Sequence, residues 1–258
     1  MTDALVHTNN FNGGANVEYK VTEKSTLVAG GNYAGTRYTS YAERCNNTDT
    51  FVIPVSWYYN VTEKLGAGFT YQYTNTSIMA NSGAQTGLAN GSQNIHFGGL
   101  TLRGKATEKL DIEANAGAGY VDIDYVGGNS THNTTFNFNL KATYDITEKL
   151  SATLSGGRNF GVSAQGDQTI NTNVNFGLNY AITDKLSANA GVGYMEQTFE
   201  GLATNGRKDK IITANAGVSY KINQYFNVGA TYSYFHDQVN TSPNFDYNIV
   251  SITAGVKY

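Results

Sequence analysis

The chain has 258 residues, of which 14% are charged, and its net charge at pH 7 is −3. Soluble domains carry about 25% charged residues, so this chain is poor in charge, and its nearly neutral balance gives no basis for binding nucleic acid. The single cysteine, Cys45, excludes an internal disulfide, and no apolar run is long enough for a transmembrane helix. The sequence opens without a recognisable signal peptide, so we expect that a targeting segment is missing from it.

A short polar turn recurs six times along the chain. The turns read VTEK, VTEK, ATEK, ITEK, ITDK and INQY, and they begin at residues 21, 61, 106, 146, 182 and 222. Repeats of this period occur in β-propellers, but a propeller blade needs four strands and each period here holds only two. The repeat therefore predicts hairpins with tight turns that alternate with longer polar loops. The TEK residues themselves are interpreted as plain turn residues whose charges stay in water.

The alternation of side chains around these turns predicts thirteen strands. In chain order they cover residues 11–21, 25–34, 51–61, 65–74, 95–106, 110–123, 134–146, 150–160, 169–182, 186–197, 208–222, 225–236 and 247–258.

Each predicted strand has one apolar face and one face of Gly, Asn, Ser and Thr. In strand 186–197, for example, Leu186 and Ala190 lie opposite Ser187 and Asn189. Ten strand residues tilted near 40° rise about 26 Å, which matches the apolar band of a membrane barrel. The fold class predicted is all-β: a closed antiparallel up-and-down transmembrane β-barrel, one domain over residues 1–258, with its apolar face toward lipid.

Two rows of aromatic side chains on the apolar face support this orientation. Rings at both membrane interfaces are expected because the ring is apolar and the hydroxyl prefers water. Gly104 takes the place of an aromatic residue in the third repeat, and Phe160 is assigned to the outgoing row. The predicted girdle consists of Tyr19, Tyr59, Tyr144, Tyr180 and Tyr220 before the turns and Tyr33, Tyr73, Tyr120, Tyr194 and Tyr234 after them.

Bacterial single-chain barrels have even strand numbers, so thirteen strands raise a problem of closure. Residues 2–9 followed by a turn at residues 10–13 are expected to supply one more strand, giving about 14, with 12 as the alternative. Pro54 lacks a ladder donor and predicts a bulge. The longest loop, about residues 75–94, either folds inward as a constriction or lies outside.

Ten charged side chains fall on the face opposite the lipid. They are six basic and four acidic residues and are predicted to line a pore, where a mixed ring sets the local field. These pore-lining residues are Glu18, Lys20, Arg103, Lys105, Asp111, Glu113, Lys141, Asp145, Lys221 and Lys257.

Few residues suggest catalysis. Asp122 with Asp124, and His236 with Asp237, lie near one predicted rim, whereas His96 has no assignable Ser partner. No metal-ligand spacing or phosphate loop is found, so we expect no cofactor and no enzymatic activity. Cys45, in a polar stretch, is interpreted as an ordinary loop residue.

At this point the sequence resembles the outer-membrane β-barrel porins of Gram-negative bacteria over nearly its whole length. The resemblance rests on the hairpin repeat, the two aromatic rows and the strictly alternating C-terminal strand. It implies that Gly255, Val256 and Tyr258 form part of the signal read by the barrel-assembly machinery. It also implies contact with lipid and lipopolysaccharide, turns in the periplasm, loops outside, and passive diffusion of small hydrophilic solutes.

Two other functions stay open at the level of sequence. One is a structural or surface-binding barrel without transport. The other is a rim-site hydrolase that resembles the omptin proteases, although those barrels have ten strands and this repeat predicts more. The sequence indicates neither the solute nor the oligomeric state.

Overall fold

The computed structural model describes residues 7–40, 45–80, 91–125, 130–163, 168–200, 206–241 and 243–256. These residues form thirteen strands: β1 (Thr8–Thr22), β2 (Ser25–Tyr38), β3 (Asn46–Asn60), β4 (Leu65–Ala80), β5 (Gly91–Lys105), β6 (Leu110–Tyr125), β7 (Ser130–Asp145), β8 (Leu150–Val162), β9 (Gln168–Ala181), β10 (Leu186–Glu200), β11 (Lys208–Lys221), β12 (Phe226–Val239) and β13 (Phe245–Val256).

The strands build one antiparallel up-and-down sheet in which neighbours in sequence are neighbours in space, from β1 to β13. The six short turns lie at one end of the sheet, called the turn end, and the longer connections lie at the opposite, loop end. The all-β, up-and-down part of the prediction is confirmed. Within the described ranges β1 and β13 are the two edge strands, and they run in the same direction.

The repeated turns are held by their own side chains. In four of them the Thr hydroxyl accepts a hydrogen bond from the backbone N–H three residues on, as Leu65 donates to Thr62 at 3.0 Å. In the sixth turn Asn223 replaces Thr and its Oδ1 accepts from Phe226 at 2.9 Å. A side-chain oxygen that closes a local turn fixes where each hairpin reverses, and so it fixes the register of the flanking strands.

The predicted N-terminal strand and its turn are wrong. Residues 8 to 22 form one continuous strand, which pairs with β2 from Thr8 opposite Tyr38 to Lys20 opposite Thr26. No chain reversal therefore occurs at residues 10–13, and the described residues supply 13 strands rather than 14 or 12. The remaining part of that prediction, residues 2–6, lies outside the described residues.

The strands continue beyond the predicted limits at the loop end. Residues 75–80 and 91–94 belong to β4 and β5, so half of the predicted second loop is strand, and its centre, residues 81–90, lies outside the described residues. Cys45 directly precedes β3 and is buried, so it is not an exposed loop residue.

Pro54 does not cause the predicted bulge. The pairing of β2 with β3 keeps the same register from Ala29 opposite Val55 to Asn32 opposite Val52, and only the pairs between them are missing. Those two positions on β2 are Gly30 and Gly31, and a Cβ on Gly30 would meet the Pro54 ring at 3.5 Å. The small partner residues accommodate the ring, so the sheet loses pairing locally without a shift.

Gly104 explains the departure of the third repeat from the aromatic row. Its φ is +114°, and a Cβ there would clash with the carbonyl oxygen of Lys64 on the neighbouring hairpin. An aromatic residue cannot adopt this backbone at so close an approach, and glycine can.

Candidate functional site

The two faces of the sheet differ sharply in chemistry. The outer face carries exposed apolar side chains, such as Val250 at 74% and Ile252 at 85% exposure. The inner face carries the Gly, Asn, Ser and Thr residues. Side chains on the inner face contact each other across strands that are not neighbours, as Glu18 of β1 and Arg103 of β5 do, so this face is concave.

A charged cluster occupies the inner face at the turn end. The Arg103 guanidinium donates to both Glu18 carboxylate oxygens, at 3.0 and 3.3 Å, and lies 4.0 Å above the ring of Tyr58 on β3. Guanidinium groups favour both a bidentate carboxylate and an aromatic face. The cluster therefore links β1, β3 and β5 across the concave face.

The other predicted lining charges lie close to this cluster. Glu113 lies opposite Arg103 on one side and Lys141 on the other, so charges of opposite sign alternate across β5, β6 and β7. Lys105 lies opposite Asp111 in the same way. Lys20 and Asp145 also lie at the turn ends of their strands, on β1 and β7, whereas Lys221 lies apart on β11. Lys257 is outside the described residues. Within the described residues the predicted pore-lining charges therefore do not form a complete ring. Most of them lie together on β1 and β5–β7, and we call this region the charged sector.

Between Lys221 at the turn end and the carboxylates of Asp209 and Asp237 at the loop end, the inner face of β8–β13 forms a second, neutral sector. It encloses an open cavity of about 510 Å³ whose described lining contains no charged residue. Its polar side chains are amides and hydroxyls, led by Asn175, Asn189, Thr213, Asn215 and Ser233. Such groups need hydrogen-bond partners, and an open cavity lets water supply them.

Three aromatic residues that the sequence analysis missed lie on this inner face, at the loop end of β12 and β13. Phe235 stacks on Tyr247 with ring centroids 4.5 Å apart, and Phe245 lies 6.0 Å from Tyr247. The alternation Phe245, Tyr247, Ile249 was a usable signal, since it places apolar residues on the face opposite that of Val250 and Ile252. We call Phe235, Phe245 and Tyr247 the aromatic shelf.

The loop end of the β8–β9 hairpin bends over the inner face of β5 and β6. The pairing of β7 with β8 stops at Phe138 opposite Arg158, although both strands continue. Beyond that point Phe160, 8% exposed, forms one buried cluster with Val121 and Ile123 of β6. Gln93 of β5 also donates a hydrogen bond to the Gly161 carbonyl at 3.4 Å. Phe160 is therefore not part of an outer aromatic row, and the assignment from sequence was wrong.

The girdle tyrosines lie in two rows. Those before the turns are all exposed on the outer face, from 44% for Tyr180 and Tyr220 to 64% for Tyr19. Several of those at the loop end use their hydroxyls to bind polar side chains: Tyr33 donates to Asp49 at 2.6 Å and Tyr234 to Asp246 at 2.7 Å. The girdle tyrosines not yet named individually also lie in their predicted strands; they are Tyr59, Tyr73, Tyr120, Tyr144 and Tyr194.

The suspected catalytic pairs do not form a catalytic arrangement. His236 and Asp237 are consecutive strand residues on opposite faces, and the His236 Nδ1 atom lies 2.7 Å from Asp246 instead. Asp122 lies 3.6 Å from His132, and His96 Nδ1 lies 2.8 Å from the Tyr71 hydroxyl. Among the described residues, no group of three or more His, Cys, Asp and Glu side chains could hold a metal ion.

A buried pair of carboxylates lies at the loop end of the inner face, beyond the row of Tyr194 and Tyr234. Arg207 donates two hydrogen bonds to Asp209, at 2.6 and 2.8 Å. Asp237 is buried nearby, and its Oδ1 atom has no hydrogen-bond partner. Burial, followed by the charge of Asp209, raises the pKa of Asp237 above its ordinary value, while Arg207 and His236 act in the opposite direction.

The last strand carries two of the three predicted assembly residues. Gly255 pairs with Asn227 and Val256 with Phe226, so the end of β13 lies at the turn end, and Val256 is exposed on the outer face. Tyr258 lies outside the described residues. In the part of the chain that the structure describes, no helix is long and apolar enough to span a membrane.

Comparisons with known proteins agree with this architecture. The family described as "Putative beta-barrel porin 2" matches residues 161–258, and the family described as "Protein of unknown function, DUF481" matches residues 91–198. No curated protein matches the sequence.

Solved structures share the fold at low sequence identity. The FrpB iron transporter from Neisseria meningitidis, F5-1 variant in the apoprotein form, is similar with a TM-score of 0.64 and 11% identity, over 91% of this chain and 45% of that chain. The F3-3 variant gives a TM-score of 0.62 and 10% identity, over 90% and 44%. This chain thus spans just under half the length of those chains. The shared fold and the matched porin family together confirm the resemblance of this chain to the outer-membrane β-barrel porins.

Proposed function

We propose that the chain is an outer-membrane channel for the passive diffusion of small hydrophilic solutes. The observation that carries the proposal is the contrast between the two faces: an apolar outer face suited to lipid, and a concave inner face of short polar side chains around an open cavity of about 510 Å³. Small polar side chains cannot fill the interior of a barrel built from all the described strands, so water occupies that interior.

A membrane setting requires the sheet to close. Unpaired N–H and C=O groups of an edge strand cost several kcal/mol each in hydrocarbon. We propose that β1 and β13 pair with each other in parallel, which gives a barrel of roughly 26 Å backbone diameter. In this arrangement the turns lie in the periplasm and the loop end faces outward.

Conductance tests the channel directly. The purified, refolded chain is added to a planar lipid bilayer in KCl, and the expected result is ohmic single-channel steps. Any weak preference between anions and cations is set by the charged sector. A correctly folded barrel that gives no conductance would overturn the proposal and favour the alternative of a structural or surface-binding barrel.

The enzymatic alternative receives no support from the part of the rim that the structure describes. An omptin-like hydrolase needs carboxylates and a histidine that converge on one water, whereas His236 and Asp237 lie on opposite faces of β12. We therefore propose that the chain acts without catalysis and without a cofactor.

A further inference from the structure

The aromatic shelf stands exposed on a face that is otherwise polar. Phe245 is 49% exposed and Tyr247 is 40% exposed, although both lie on the inner face. Other inner-face rings are covered: Phe97 and Phe199 are buried, and Tyr58 lies under Arg103. Both exposed residues lie on β13, an edge strand of the described sheet, so part of their exposure comes from the open edge. The stacked rings of Phe235 and Tyr247 also border the neutral cavity, where they offer an apolar surface that a ligand can cover.

The shelf is one wall of the neutral cavity. Phe235 and Tyr247 line the same space as Asn175, Asn215 and Ser233. Its volume of about 510 Å³ falls within the range of small-molecule sites, which combine aromatic walls with a few polar groups that fix orientation.

The polar groups of the cavity suit hydroxyl groups in particular. Each Asn offers both a donor and an acceptor, as Ser and Thr do, so adjacent amides can satisfy neighbouring hydroxyls that also donate and accept. The described lining has no charged side chain, and a charged solute would therefore have no partner there. On the first edge strand the inner row continues with Asn10, Asn12 and Asn16, so closure would add further amides beside the shelf.

We propose that the neutral sector binds uncharged saccharides, with a sugar ring stacked on the aromatic shelf and its hydroxyls bound by Asn175, Asn215 and Ser233. The apolar C–H face of a pyranose matches the flat ring of Tyr247, and the sugar hydroxyls match the amide row. This inference rests on the water-filled lumen of the proposed function and names the solute class that passes along its neutral side.

Calorimetric titration of the full chain, folded in a detergent without a sugar headgroup, tests the site independently of transport. Maltohexaose is the probe, and polyethylene glycol of matched size is the control solute. We expect saturable binding of maltohexaose alone. Phe235→Ala and Tyr247→Ala should each weaken it by about tenfold, the loss of one good ring contact. Tyr232→Ala, which removes an outer-face ring from β12, should leave it unchanged.

Bilayer recordings with the same sugar separate this inference from the channel itself. Saturable block of the current by the sugar, relieved by Tyr247→Ala, supports both the channel and the saccharide site. Binding without any conductance keeps the saccharide site and overturns the channel. Conductance without saturable sugar binding overturns the saccharide site alone, as does binding that the shelf variants do not weaken. Variants are compared only when their circular dichroism and gel migration before heating show a folded barrel.

Discussion

The carboxyl group of Asp237 lies buried next to the ion pair of Arg207 and Asp209, with one oxygen unpartnered. Because its pKa is raised in the fold, the folded state holds this proton more tightly than the unfolded chain does. The resulting loss of stability is absent below the unfolded pKa of about 3.9. It grows as pH rises from the unfolded pKa through the raised pKa of the folded state.

Asp237→Asn should therefore raise the stability of the folded barrel at pH 7 and change it little below the unfolded pKa. Urea unfolding of the refolded protein, followed by tryptophan fluorescence at both pH values, measures this difference. Asp246→Asn is the matched control, because the pKa of Asp246 is lowered by hydrogen bonds from Tyr234 and His236. That control should lose stability at pH 7, and equal responses of the two variants would contradict the assignment.

The charged sector makes a prediction about ion preference. Lys141 lies opposite Glu113 on the inner face, and its replacement by Glu reverses the charge near the turn end of the lumen. Lys141→Glu with Lys257→Glu should shift the reversal potential in a KCl gradient toward cations, while the conductance stays of similar size. Lys149→Glu, in an exposed turn, should not produce this shift.

At the scale of single strands, β10 shows most simply how the two faces differ. Ala190 lies between Leu178 and Ala216 on the outer face, whereas Asn189 lines the inner cavity. Ala190→Arg should destabilise the inserted barrel by roughly 2–4 kcal/mol, as expected for a cation near the bilayer midplane. Asn189→Arg should be tolerated. Unfolding from lipid vesicles in urea compares the stability of the two variants. An equal loss of stability would mean that the faces are assigned wrongly.

The inward bend of the β8–β9 hairpin makes a second prediction at this scale. Phe160→Ala should cost about 3–5 kcal/mol, because it leaves a cavity against Val121, Ile123 and Ile170. Phe136→Ala removes a ring that is 60% exposed on the outer face and should cost less. The same unfolding assay measures both variants, and a larger loss for Phe136 would argue against the buried cluster.

The strands and their faces could be predicted from the sequence, because the alternation of apolar and polar side chains along each strand and the repeated turn are both visible in it. The bend at β8–β9 was not predictable in this way. Phe160 and Ile170 continue the apolar alternation of the outer face, and only the departure of β8 from β7 brings them onto β6. The aromatic shelf was missed because only the outer-face rings of the predicted strands 225–236 and 247–258 were considered, and Phe245 lies before the second of these strands.

At the scale of the whole molecule, closure is the property to test. With Cys45→Ser as background, Asn16→Cys on β1 is combined in turn with Ile249→Cys, Ser251→Cys or Thr253→Cys on β13. Closure by parallel pairing should give an intramolecular disulfide in one of these variants, seen as a monomer of altered mobility on a non-reducing gel. Cross-linked dimers instead would mean that the edge strands pair between copies.

Because the turns are closed by their own side chains, the hairpins share the same local geometry and each is nearly equivalent to the next. Since a Thr or an Asn fixes the reversal in five of the six turns, deletion of a whole repeat leaves the register of the remaining ladders untouched. Two strands fewer would narrow a closed barrel by roughly 4 Å. Pore width in such a chain can thus change in steps through the gain or loss of gene segments near 40 codons long, each step preserving which residues meet lipid and which meet water.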